Sequence, residues 1–222
     1  MTDSAPQRAR QRLRAAGRLK PFARGAELIV IGDHSREALL IESGAVKVVL
    51  SNADGSTLIA GMYGPGALVG ELGLLDNRPR NATIVGQRAG QVVHVPGKIF
   101  LELYYGDRDV RQLVDAARRK RLDSADQFRL DVASKSVPIR IAGQLLAYGK
   151  AYGHAVDGEL VIHDLTQEDL AHMVGAAKKS VERALKDLRL VNLVHTGRMR
   201  FVLPQPALLE SLLGQPNWRP GR

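Results

Sequence analysis

The sequence predicts an α+β chain in three parts: a roll of short antiparallel strands, a long helix, and a terminal unit of short helices with a two-stranded wing. Three observations carry this expectation. Short β-like runs punctuated by glycine crowd residues 25 to 100, a helical pattern runs on from Asp107, and two amphipathic helices joined by a tight turn occupy residues 165 to 188.

In the first part, Leu28 to Ile31, Leu39 to Ile41, Val46 to Leu50, Leu58 to Met62, Ala82 to Val85 and Val92 to Val95 each read as a strand, being rich in β-branched residues. Turn signals separate them at Ser43-Gly44, Asn52-Ala53-Asp54-Gly55, Tyr63-Gly64-Pro65-Gly66 and Arg88-Ala89-Gly90. Many short strands with regular turns imply a double-stranded, jelly-roll-like β-roll, because closure removes exposed sheet edges. The roll is expected over residues 20–105, after a basic N-terminal arm at 1–19.

The texture changes near residue 98. Ile99, Phe100, Leu103 and Tyr104 suggest a short helix, and residues 107–134 a long one. Along it, Val110, Val114, Leu122, Ala125 and Val132 recur near heptad spacing, the pattern of a helix that packs on a second copy; packing on its own roll is the alternative. Arg118, Arg121 and Arg129 interrupt that seam. Ser134-Lys135-Ser136-Val137-Pro138 reads as a hinge, Ile139 to Tyr152 as a helix entering the last unit (138–213), and residues 214–222 as a flexible tail.

That last unit carries the first motif with chemistry. Thr166 precedes Gln167, Glu168 and Asp169, a hydroxyl cap followed by acidic first-turn residues. Leu170, Met173 and Val174 fall on one face, and Gly175 breaks the helix. The second helix turns Val181, Ala184, Leu185 and Leu188 inward and Lys178, Lys179, Glu182, Arg183 and Lys186 outward. Leu193 to His195, Thr196-Gly197-Arg198 and Met199 to Leu203 follow as a wing. A basic helix after such a turn, with a wing behind it, suits phosphates and base edges in a DNA groove. An ordinary helical hairpin with a solvated basic face is the plainer reading.

Charge agrees with a polyanionic partner: the 222 residues carry a formal +9, with a pI near 10.1. Arg8, Arg10, Arg12, Arg14, Arg18, Lys20 and Arg24 concentrate the excess at the start, as either a solubilising arm or one that touches DNA or a partner. Cysteine is absent, which excludes thiolate-held clusters and thiol switches, and the six histidines share no ligand spacing. No apolar run is long enough to span a membrane and residues 1–20 lack the apolar centre of a signal peptide, so a cytoplasmic protein is expected.

The second motif is GELGLLDNRPRNAT, residues 70–83. Gly70 permits close backbone approach, a helical turn from Glu71 offers N–H groups to an anion, and Arg80 supplies a guanidinium suited to phosphate. Glu71 can accept from a ribose hydroxyl. A nucleotide with a constrained phosphate fits this set, and so does a Glu71–Arg80 salt bridge that merely closes a loop.

Roll, GELGLLDNRPRNAT, long helix and LTQEDLAHMVGAAKKSVERAL, in that order, resemble the CRP/FNR family of bacterial transcription regulators over residues 20 to about 212. The resemblance implies an effector-gated homodimer reading a palindromic double-stranded DNA operator, with no enzymatic activity and no required cofactor, and a cyclic nucleotide as the possible effector. It places the effector contacts at Gly70, Glu71, Leu72, Arg80, Asn81, Ala82, Ala125 and Asp126, and the DNA contacts at Thr166, Gln167, Lys178, Lys179, Ser180 and Arg183. The loop at 153–159 is where RNA polymerase contact is possible. Three positions depart from cAMP-binding members: Asn81 replaces Ser or Thr, and Ala125 and Asp126 replace a Thr-Ser pair that meets adenine. Lys178-Lys179 stands where many relatives have Arg-Glu, and since Lys donates where Glu accepts, a different operator is expected. An effector-independent DNA binder and a metal-dependent cupin-like enzyme are the other readings, the latter opposed by only His34 and His94 lying in the roll.

Overall fold

A computed structural model describes residues 4–34 and 36–218; the ends of the expected arm and tail, residues 1–3 and 219–222, lie outside it. The chain divides into two compact units, residues 1–125 and 126–222.

The first unit opens with helix α1 (Ala5–Ala15), then strands β1 (Arg18–Phe22), β2 (Glu27–Ile29), β3 (Glu37–Ser51), β4 (Thr57–Tyr63) and β5 (Leu68–Val69). The short helix α2 (Glu71–Leu75), strand β6 (Thr83–Pro96), helix α3 (Gly97–Gly106) and the start of helix α4 (Arg108–Ser134) follow. All strand pairs are antiparallel, in the order β1-β6-β3-β4, with β2 also on β6 and β5 also on β3.

Two of the expected turns are not turns. The runs Leu39–Ile41 and Val46–Leu50 belong to the single strand β3, and Ala82–Val85 and Val92–Val95 fall largely on β6. Ser43-Gly44 and Arg88-Ala89-Gly90 are instead the facing halves of a bulged stretch where the β3–β6 register shifts. Gly44 sits at φ +77°, and a Cβ on Gly90 would lie 2.0 Å from the Ser43 carbonyl. Glycine here bends two long strands rather than ending them.

Both faces of those strands are buried, because successive side chains alternate. Leu39, Ile41 and Val46 of β3 join Phe22, Ile29, Val69, Ile84 and Val92 inside the roll. Ala38 and Leu40 face the other way, against Ala9 and Leu13 of α1, Phe100 of α3, and Val110 and Val114 of α4. The seam read on α4 is thus divided. Val110 and Val114 are buried within their own chain, whereas Leu122, 61% exposed, and Val132 are uncovered among the described residues.

The N-terminal arm includes a docked helix. Arg8 pairs with Asp109 (2.8 Å), Arg12 with Asp107 and Asp109, Arg14 with Glu42, and the Arg10 Nε donates to the Gly66 carbonyl (2.9 Å). Asp107 also caps α4, accepting from the Asp109 and Val110 amides.

In the second unit, α4 ends and helix α5 (Val137–Tyr152) begins after a two-residue break at the expected hinge. Strands β7 (His154–Val156) and β8 (Glu159–His163), helices α6 (Gln167–Val174) and α7 (Lys178–Leu190), strands β9 (His195–Gly197) and β10 (Arg200–Leu203), and helix α8 (Pro206–Ser211) complete it. The sheet runs β7-β8-β10-β9. Val181, Ala184, Leu185 and Leu188 of α7 are buried, as the periodicity requires. The start of the tail is tied down, since Ser136 N–H donates to the Pro216 carbonyl at 2.8 Å.

Candidate functional site

The cassette after β5 holds the first set of candidate residues. Gly70 is left-handed at φ +79°, and a Cβ there would stand 2.5 Å from Ile29 Cδ1, so only glycine turns the chain from β5 into α2 here. This turn delivers Glu71 into the interior, where it is 1% exposed. Arg80 is 4% exposed, and its backbone is fixed by its N–H to the Asp33 carbonyl (2.9 Å) and the Gly32 N–H to its own carbonyl (2.8 Å).

The guanidinium of Arg80 donates to the carbonyls of Gly70 and Glu37, the latter at 2.6 Å. Burial pushes its pKa down, opposed by the charges of Glu71, Glu37 and Asp33. Glu71 takes its ion pair from Arg121 of α4, not from a closed loop with Arg80 alone. Arg121 also donates to the Leu68 carbonyl and lies over the Tyr63 ring, 5.2 Å from its centroid. For Arg121, burial lowers the pKa, but the charge of Glu71 and contacts to Tyr63 and Glu71 outweigh it, and the net shift is upward.

One acceptor stays empty. The second carboxylate oxygen of Glu71, Oε2, is buried with no hydrogen-bond partner. Such an atom bears the full desolvation cost unless a donor arrives.

Around this centre, Leu72 is half-buried, Ala82 is buried and Asn81 is exposed. Ala125 and Asp126 stand further along α4, where the Asp126 carboxylate pairs with Arg129. Arg121 and Tyr63 are the side chains at this centre that motif reading missed. Arg121 registered only as an interruption of an apolar stripe, and an arginine breaking a stripe was the available signal.

The second set lies on α6 and α7. Thr166 forms a capping box: its hydroxyl accepts from the Asp169 N–H (2.9 Å) and donates to the Asp169 carboxylate (2.8 Å), while the Thr166 N–H reaches the same carboxylate. The hydroxyl expected to touch the DNA backbone is therefore engaged within the helix. Gln167 is half-buried beside it. Gly175, at φ +59°, ends α6, and Ala177, the residue that caps α7, offers no side-chain acceptor to its first amides. Lys178, Lys179, Ser180 and Arg183 are exposed, and among the described residues Lys178, Lys179 and Arg183 have no ion pair. Behind α7, Arg189 donates to Thr196 Oγ1 at 2.9 Å and ties the helix to the wing.

Among the described residues no three His, Asp or Glu groups are placed to hold a metal ion, and no helix is long and apolar enough to cross a membrane. A buried Glu–Arg cassette in a β-roll, followed by a winged helix with an exposed basic face, defines the class of ligand-responsive DNA-binding regulators.

Comparisons with known proteins agree. Residues 19–106 match the cyclic nucleotide-binding domain and residues 139–212 the Crp-like helix-turn-helix domain. The chain is 30% identical over 182 residues to the CRP-like cAMP-activated global transcriptional regulator of Mycobacterium tuberculosis H37Rv, covering 81% of this chain and 79% of that protein. It is 26% identical to the cAMP-activated global transcriptional regulator CRP of Escherichia coli O157:H7, over 75% of this chain and 80% of that one. Its fold is shared with the c-di-GMP responsive regulator CLP of Xanthomonas campestris (TM-score 0.76, 21% identity, 89% and 98% of the two chains). It is shared also with a CRP/FNR transcriptional regulator of Thermus thermophilus (TM-score 0.74, 18% identity, 90% and 100%). The chain belongs to the CRP/FNR family of transcription regulators.

Proposed function

We propose that this regulator works as a homodimer on a palindromic operator and that a nucleotide-like effector in the roll sets its affinity for DNA. The effector reading rests on one observation, the buried and unpartnered Oε2 of Glu71 beside the buried guanidinium of Arg80. A ribose hydroxyl would donate to that oxygen, and a phosphate would draw Arg80 from the carbonyls it now holds. A cyclic nucleotide supplies both groups on one rigid frame. cAMP is the effector named for the two regulators similar in sequence and c-di-GMP for one similar in fold.

On the DNA side, Lys178, Lys179, Ser180 and Arg183 enter the major groove from the first turns of α7, with Gln167 and the first amides of α6 at the backbone. Thr166 serves by shaping that helix start. The part of the seam not buried by its own roll, Leu122, Ala125 and Val132, is the dimer contact, which sets half-sites about 10 bp apart. A copy covering that part would bury apolar surface at roughly 25 cal/mol per Å². The hairpin at 153–159 is where polymerase contact belongs, the work being done in the cytoplasm without catalysis.

Titration calorimetry with cAMP, cGMP and c-di-GMP, paired with operator binding, tests the reading. Binding of one of them, lost in Arg80→Ala, with a matching change in DNA affinity is expected; no heat and no change from any of the three removes the nucleotide. A second reading has its own support, because Glu71 is already paired with Arg121. In that case the ligand-free protein binds its operator tightly and Arg80→Ala leaves the affinity unaltered.

A further inference from the structure

One residue beside the cassette faces two ways. The Glu37 carbonyl accepts from the guanidinium of Arg80 at 2.6 Å, while its carboxylate meets His94 Nδ1 of β6 at 2.7 Å. An ionised carboxylate only accepts, so Nδ1 carries the donated proton and Nε2 is the atom left to take up a second. His94 shares the inward face of β6 with Val92 and stands opposite Leu39. Its side chain is 15% exposed, so the ring lines the roll and still exchanges protons with water.

The neighbouring elements bring few charges to this ring. β1 sets Arg18 opposite it, but Arg18 is exposed, where solvent screens its charge. β3 brings Glu37 and the apolar Leu39, and β5 only Leu68 and Val69. Glu27 of β2 pairs with Val85, towards the other end of β6. α1 and α3 pack on the opposite face of that strand, through Val93 and Val95. Glu37 is thus the ion-pair partner of His94, and its carboxylate also belongs, with those of Glu71 and Asp33, to the negative charge that acts on Arg80.

We propose that His94 couples effector binding to pH: a proton taken up at its Nε2 neutralises the Glu37 carboxylate, and Arg80 then holds an anionic phosphate more tightly. This rests on the effector reading. Imidazole is the side chain that changes charge near neutrality, whereas a phosphodiester stays negative throughout, so the ligand itself brings no titration. With His94 neutral, Glu37 both competes for the guanidinium and repels the incoming anion. With His94 charged, both effects shrink, and the sign is the same for each. His94 and Glu37 act through Arg80 and are positioning residues; neither needs to touch the effector.

The test is calorimetric titration of the full-length protein with cAMP, cGMP and c-di-GMP at about pH 6 and about pH 8, the interval in which histidine changes charge. The nucleotide that binds should do so about 5-fold or more tightly at the lower pH, the small end of the range for linked sites. Buffers of different ionisation heat should show a proton taken up with the ligand, because affinity that rises as pH falls requires the complex to hold more protons. His94→Gln should lose both the pH dependence and the proton uptake. Glu37→Gln should bind at the higher pH about as tightly as the wild type does at the lower one. His34→Gln, which alters the other histidine of the first unit, should behave as the wild type. Equal affinity at both pH values, or a dependence that survives His94→Gln, overturns the proton coupling and leaves the effector reading standing. If none of the three nucleotides binds at either pH, the effector reading fails and the coupling with it.

Discussion

Several arginines around the roll are engaged within their own unit, whereas basic residues on α7 and the wing have no ion pair among the described residues. Around the roll, Arg8, Arg12 and Arg14 pair with Asp109, Asp107 and Glu42, Arg121 pairs with Glu71, and Arg80 is buried against two carbonyls. On α7 and the wing, Lys178, Lys179, Arg183, Arg198 and Arg200 are exposed and pair with nothing described. The same residue types therefore do different work. A buried guanidinium beside a carboxylate holds the fold, while an exposed, unpaired one costs the fold little and leaves its charge open to solvent. A net charge of +9 says nothing of this division.

The contrast breaks most visibly at Arg121. Arg121→Leu strands a carboxylate that is 1% exposed, so urea unfolding should show a loss of about 3–5 kcal/mol, largely recovered in the double variant with Glu71→Gln. Equal losses in the single and double variants would mean that Arg121 acts through packing on Tyr63 instead. Arg183→Ala should do the reverse. Operator affinity is expected to fall by about 1–3 kcal/mol in a fluorescence titration while the unfolding free energy holds within about 0.5 kcal/mol.

Thr166→Ala probes the border between the two kinds of residue. Loss of the capping box should cost about 1 kcal/mol of stability, and Thr166→Ser should restore it. A variant that loses DNA affinity without losing stability would return Thr166 to the DNA surface.

The smallest effect concerns α1. Hydrogen bonding by Arg8 holds the Asp109 carboxyl below its ordinary value of 3.8, so this carboxylate stabilises the docked helix at pH values above 3.8. The contribution is lost as pH falls from there through the lower value of the folded state. Circular dichroism of Asp109→Asn against wild type should differ at neutral pH and converge in acid; a difference that persists in acid would show that charge is not what fastens the helix.

Much of the second unit was legible because its signals are local. The capping residue, acidic first turn, Gly175 break and helical period of Val181, Ala184, Leu185 and Leu188 all act within a few residues of themselves. The strands of the roll were legible as apolar runs, but their joins were not. Ser43-Gly44 and Arg88-Ala89-Gly90 carry turn composition, and only their position opposite each other makes them a bulge in two continuous strands. In the cassette, the spacing of Gly70, Glu71 and Arg80 showed a carboxylate and a guanidinium at one turn. It did not show that Arg121, 50 residues away, is the partner of Glu71, since no local pattern encodes which charge will meet another across a fold.

By itself, then, the sequence determined the family, the helix-turn-helix, the buried face of α7 and the basic face opposite it, because period and capping are properties of neighbours along the chain. Tertiary structure decided which arginines are spent and which stay free, that the basic N-terminal segment docks as a helix, and that Glu71 keeps one oxygen without a donor. Those outcomes depend on burial and on distances between residues remote in sequence, and charge acquires its meaning from both.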